Sequence, residues 1–251
     1  MAFDASKEHL VVLHPVHGEG DHFKLLGTLV DCKLLMSPAI EQILAQIRPK
    51  IRAIVRMQSH YPVAELIHQF KTHVWGSQEY HNGAIFHASS YLIDRLDGVH
   101  RQFLRDINLT EEVAFLSYNF APPTLRRNIG MLGFLHKRVL GKAHPCFQKL
   151  LPFHADVFDW PGEGTHDKVL YNHFKEIQFQ HAMYARSIFG MVYVYNHLPQ
   201  RIIDCPSISL FQRLLTKAVR KACEQHDLAW KDIFSCRVNL VHTVNIWKFY
   251  I

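Results

Sequence analysis

Arginine recurs at Arg48, Arg52 and Arg56, a spacing of four that stacks three guanidinium groups along one side of a helix. Permanently charged planar groups in that arrangement repel one another unless a counter-charge sits among them, and their geometry suits phosphate oxygens. A second basic set brackets the stretch from Phe120 to Phe147, with Arg126 and Arg127 at the start of its expected helix and Lys137 and Arg138 at the end. The first pair opposes the helix dipole while the second agrees with it, so the first pair is placed for an anionic partner. Lys24 and Lys33 add two cations near the N-terminus. The chemistry on offer is contact with an RNA or DNA backbone, in which side chains neutralise phosphates and release counterions.

Other chemistry is poorly served. Nineteen histidines are present, with His14 and His17, His68 and His73, and His144 beside Cys146 as the nearest groups. None has the offsets that a zinc site requires, and no metal site is expected. Cys32, Cys146, Cys205, Cys223 and Cys236 are scattered and contain no Cys-x-x-Cys pair, which points to reduced structural thiols. The sequence contains no Asp-Asp pair, no Gly-x-Ser-x-Gly and no Gly-Lys-Ser/Thr loop, and Gly18-Glu19-Gly20 lacks the third glycine of a nucleotide loop. His9 with Asp21 and Cys146 with His154 are neighbours in sequence only, and catalytic groups meet in space. Neither catalysis nor a cofactor is expected. The triplet Asn108-Leu109-Thr110 is a chance match to a glycosylation acceptor.

The elements that must position the cations follow from periodicity. At 251 residues and 48% apolar content the chain is long enough for a sizeable core. The longest apolar run, near Ile188 to Tyr195, falls well short of the ~20 residues of a membrane helix, so no membrane partner is expected. The first residues carry Asp4 and Glu8 and lack the apolar core of a secretion signal, which predicts an intracellular protein, nuclear or cytoplasmic. Residues 37–151 hold 14 Lys and Arg against 8 Asp and Glu, whereas residues 1–36 hold 3 against 5, so the basic excess is central.

Two Val- and Leu-rich runs, Leu10 to His14 and Phe23 to Val30, read as a β-hairpin or neighbouring strands. Ser37-Pro38 reads as cap and first turn of a helix whose apolar arc is Ile40, Ile43, Leu44, Ile47, Ile51, Ile54 and Val55, kinked at Pro49. Further helices are expected from Pro62 to Ser89, broken near Asn82-Gly83, and from Tyr91 to Asp106. A short helix capped by Thr110 and a helix after Pro122-Pro123 through Val139 complete the central region. Trp160-Pro161-Gly162-Glu163-Gly164-Thr165 reads as a linker, followed by an apolar helical stretch from Val169 to Tyr195 and an amphipathic helix from Ser207 to His226. Val238 to Ile251 has no clear period. The fold class is mainly α, a helical bundle with a short N-terminal β-hairpin and a C-terminal helical extension.

Taken in order, several pieces resemble the part of a non-long-terminal-repeat (LINE-like) retrotransposon reverse transcriptase that follows its catalytic palm. They are Phe3-Asp4-Ala5-Ser6-Lys7-Glu8, Phe23-Lys24-Leu25-Leu26-Gly27 with Asp31 and Lys33, and Gln69-Phe70-Lys71-Thr72-His73. Leu96-Asp97, Phe103-Leu104-Arg105, Ala121-Pro122, Arg126-Arg127 through Leu140-Gly141, Tyr195 to Pro199 and Phe211-Gln212 continue the likeness, which spans Phe3 to Arg237. The resemblance implies a palm-edge β remnant at 1–36, a thumb-like helical domain at 37–151 that grips template and primer, a linker at 152–167 and a C-terminal helical extension at 168–251. The family's metal-binding aspartates have no counterpart here. The resemblance therefore implies Mg²⁺ only together with a palm, and no polymerase activity for this chain by itself. The expected function is residual non-specific backbone binding. A helical protein-interaction scaffold, or a non-functional read-through product of such an element, is the alternative.

Overall fold

The computed structural model describes residues 11–14, 18–20, 22–157, 164–172 and 182–237. The chain is mainly helical with a short antiparallel hairpin near the N-terminus, as the sequence predicts. It divides into two compact units, Met1–Val99 and His100–Ile251. The expected linker at 152–167 falls within the second unit, and its residues 158–163, like Leu10 and the tail Val238 to Ile251, lie outside the described residues.

In the first unit, β1 (Phe23–Leu25) pairs antiparallel with β2 (Thr28–Val30), Phe23 opposite Val30. Both strands come from the second of the two predicted runs. The reason is local: Leu26 and Gly27 both take positive φ, 47° and 86°, which closes a two-residue turn whose twist matches the strands. Val12, in the first run, is held instead by an isolated bridge to Glu19.

Helix α1 (Ser37–Arg56) starts one residue earlier than expected, because Ser37 is its first residue and Met36, in the left-handed region, precedes it. Capping by the Ser37 side chain is replaced by the Asp31 carboxylate, which accepts from the backbone N–H groups of Leu35 (2.9 Å) and Met36 (2.7 Å). The helix runs unbroken through Pro49, whose side is exposed. Ile40, Ile43, Leu44, Ile47, Ile51 and Ile54 are buried, as the apolar arc requires, and Val55 is half-buried. That face packs on β2, on α2 (Val63–Phe70), on the π-helical turn Lys71–Trp75 and on α3 (Gly76–Glu79).

The chain breaks at Tyr80-His81 before α4 (Asn82–Ile85), next to the predicted Asn82-Gly83 break. Histidines here act as packing groups: His81 Nδ1 lies 2.7 Å from Thr28 Oγ1, and His87 Nε2 donates to the Leu34 carbonyl at 2.9 Å.

Helix α5 (Ser90–Asp106) spans the division between the units. In the second unit, α6 (Glu111–Tyr118) is capped as predicted, the Thr110 hydroxyl accepting from the Val113 N–H at 3.3 Å. Next come α7 (Pro123–Val139), the short α8 (Cys146–Leu150) and α9 (Ala182–Ala185), then α10 (Ile188–Asn196), α11 (Gln200–Ile203) and α12 (Ile208–Glu224), capped by Ser207. Both α10 and α12 pack on α7, and α12 also meets α6 and α11. Helix α7 is thus the centre of this unit.

Its key contact is polar. His136 is fully buried and stacks on Phe211 at 4.1 Å with an interplanar angle of 7°. Its Nε2 lies 2.9 Å from the Cys205 carbonyl, which only accepts, so Nε2 carries the proton and Nδ1 is left to accept from the Tyr195 hydroxyl at 3.1 Å. One neutral imidazole thereby joins α7, α10 and the turn before α12.

The predicted helix from Val169 does not form at its start. Residues 169–172 are extended: Leu170 bridges Phe153, and its backbone N–H and carbonyl both bond the Asn196 side chain, at 2.9 and 2.8 Å. Those long-range hydrogen bonds outweigh the local apolar pattern. Residues 173–181 of the predicted helix lie outside the described residues.

Candidate nucleic-acid interface

Arg48, Arg52 and Arg56 run alongside the buried arc of α1, and all three are exposed. Successive members are about 6 Å apart along the axis, so the row spans about 12 Å. Their side chains make no hydrogen bond or ion pair with the described residues. The nearest preceding acid on the helix, Glu41, is taken by Arg95 in an ion pair of 2.6 Å. No Asp or Glu occurs between Glu41 and Glu65. Lys50 points away from the row and donates to the His73 carbonyl (3.1 Å) and Ser77 Oγ (2.7 Å), which ties α1 to the segment beneath it. The unit therefore holds α1 by its apolar face and leaves a row of three cations with no ion-pair partner among the described residues. Lys24 and Lys33, also in this unit, are exposed and likewise make no such contacts.

In the second unit the expected cations of α7 separate. Lys137 is exposed and makes no hydrogen bond or ion pair with the described residues, whereas Arg126 is half-buried. Arg127 and Arg138 are only 4% and 5% exposed. The Arg138 guanidinium lies over the Phe153 ring at 4.2 Å, and burial lowers its pKa while the nearby Asp156 charge partly offsets that. In this arrangement neither Arg127 nor Arg138 presents its head group to a strand. The cause is the position of α7 between α10 and α12, which buries Asn128, Gly133 and His136 together with the leucines.

Arg126 has an internal effect. His100 is fully buried, its ring 4.6 Å from that of Phe120, and its pKa is pushed down to about 3, first by burial and then by the charges of Arg101, Arg126 and Lys231. His100 is neutral in the folded chain, whereas in the unfolded chain it binds a proton below its ordinary value of about 6.5. Unfolding therefore takes up a proton throughout the window between about 6.5 and about 3, and stability falls as pH falls through it. Burial shifts His136 in the same direction. The expected loss from His100 alone between pH 6.5 and 5 is about 2 kcal/mol, read as a drop in the urea midpoint. An unchanged midpoint over that range would contradict a neutral buried imidazole.

Comparison with protein-family models, curated proteins and solved structures finds no match.

Sequence reasoning missed one set of cations. On α12, Arg213, Lys217 and Lys221 repeat the spacing of four seen on α1, and all three are exposed. The signal was present in the sequence, beside the apolar arc of Phe211, Leu215, Ala218 and Ala222 that the same helix buries. His144 Nδ1 and Cys146 Sγ are 3.1 Å apart, but no group of three or more His, Cys, Asp or Glu among the described residues is placed to hold a metal ion. Among the described residues no helix is long and apolar enough to cross a membrane.

Proposed function

We propose that the chain binds the phosphate backbone of RNA or DNA without reading base sequence, as a reverse-transcriptase-like chain that holds a strand and does not copy it. The observation that carries this reading is the row Arg48, Arg52 and Arg56: exposed, evenly spaced on a well-anchored helix, with no Asp or Glu between Glu41 and Glu65 and no ion-pair partner among the described residues. Such a row is destabilised by its own repulsion and relieved by a polyanion. Lys24 and Lys33 support it from the same unit, and Lys137 is the α7 cation available in the second unit. Arg126, half-buried at the start of α7, can add to it, whereas Arg127 and Arg138 join only if α7 rearranges. The resemblance to the segment that grips template and primer agrees with backbone contact as the mode.

Affinity for a single-stranded RNA of mixed sequence is expected to fall about twentyfold between 50 and 200 mM salt if the three arginines account for the released counterions, and to change little with base composition. Fluorescence anisotropy measures both. Absence of binding to RNA and DNA at low salt would overturn the reading.

A further inference from the structure

In the second unit α11 and α12 enclose a depression of about 670 Å³. Ile202, Leu214 and Ala218 give it an apolar floor, and its rim carries Arg201, Lys217, Arg220 and Lys221, with Glu224 as the single carboxylate of the lining. Arg220 is already engaged: its guanidinium donates to the carbonyls of Phe115 (3.2 Å) and Leu116 at the end of α6 and lies over the Phe115 ring at 5.5 Å. That contact fixes one wall.

The other three cations are different. Arg201, Lys217 and Lys221 are exposed, and their side chains make no hydrogen bond or ion pair with the described residues. Lys217 and Lys221 are one helical turn apart, with Cβ atoms about 5–6 Å from each other. No Asp or Glu occurs between Asp204 and Glu224. Asp204 itself is occupied by Gln200 at 2.8 Å and by Lys168 at 3.9 Å. Three cations without a partner among the described residues line one concave surface and exceed what its single carboxylate requires, and the arginine fork suits phosphate oxygens.

From this geometry we propose that the depression binds a compact oligophosphate, its phosphates held by Arg201, Lys217 and Lys221 and any attached planar group lying on Ile202 and Leu214. The site lies wholly in the second unit and does not depend on the α1 row.

The test uses the full chain and inorganic tripolyphosphate at low salt. Calorimetry is expected to show binding that weakens about tenfold in Lys217→Gln and again in Lys221→Gln, is retained in Lys217→Arg, and is unchanged in a variant carrying Arg48→Gln, Arg52→Gln and Arg56→Gln. In the unaltered chain, tripolyphosphate is expected to slow acetylation of Lys217 and Lys221 several-fold while Lys24, Lys33 and Lys137 react as before, a readout that needs no variant to fold. ATP run in parallel separates the sources: equal affinity assigns recognition to the phosphates alone, and tighter binding adds the nucleoside on the apolar floor. No binding, uniform protection of all lysines, or loss of binding in the α1 variant would overturn the proposal. Because the α1 variant reports on RNA and the α12 variants on tripolyphosphate, failure of one reading leaves the other distinguishable.

Discussion

Replacing Arg48, Arg52 and Arg56 together by alanine is expected to weaken binding to single-stranded RNA about a hundredfold at 0.1 M salt, with the difference closing toward 1 M. Each phosphate neutralised on a single strand contributes about 0.7 to the slope of log affinity against log salt, so three contacts contribute about 2, or two decades at 0.1 M. Folding should be untouched. All three side chains are exposed and make no hydrogen bond or ion pair with the described residues, alanine is the best helix former, and removing like charges four residues apart relieves repulsion. The unfolding midpoint is therefore expected to hold or rise slightly while binding is lost. A variant with unchanged RNA affinity would remove the α1 row from the interface and leave the cations to an acidic protein partner or to no partner.

The largest expected effect on stability is that of Phe211→Ala. Phe211 is fully buried on α12, stacks face to face on His136 and lies 6.2 Å from the Tyr195 ring. Truncation leaves a cavity at the junction of α7, α10 and α12, and buried Phe→Ala changes cost about 3–5 kcal/mol. It also exposes one face of an imidazole whose two nitrogens are both engaged, so His136 is expected to lose part of the burial that keeps it neutral. Set against a typical total of about 5–15 kcal/mol, that loss would bring the chain close to unfolding at 37 °C. Urea denaturation of the full chain measures it, and a cost under about 1 kcal/mol would contradict α7 as the centre of the second unit.

Features set by near neighbours in the chain were legible in the sequence. Thr110 caps α6 and Ser207 caps α12 because capping needs only a hydroxyl and the next three residues, and Pro122-Pro123 starts α7 where their fixed φ directs it. The isoleucine arc of α1 fixed which side would be buried, and so which side would carry the arginines. What depended on distant residues was not legible. Val169 to Tyr171 look helical by composition, yet Asn196 and Phe153 hold them extended. Arg127 and Arg138 look like surface cations on a one-sided helix, yet α7 is covered on more than one side, and a helical wheel carries no record of a second covering helix. The N-terminal hairpin is legible, but it closes within Phe23 to Val30, because a Leu-Gly turn with two positive φ values is a weaker signal in sequence than the glycine-rich stretch before it.

The most direct test of backbone binding by the α1 row is a salt titration of RNA affinity carried out in parallel on the unaltered chain and on the triple alanine variant. The account predicts two straight lines in log affinity against log salt, the variant shallower by about 2, converging near 1 M. Parallel lines, or a flat line for the unaltered chain, would contradict it.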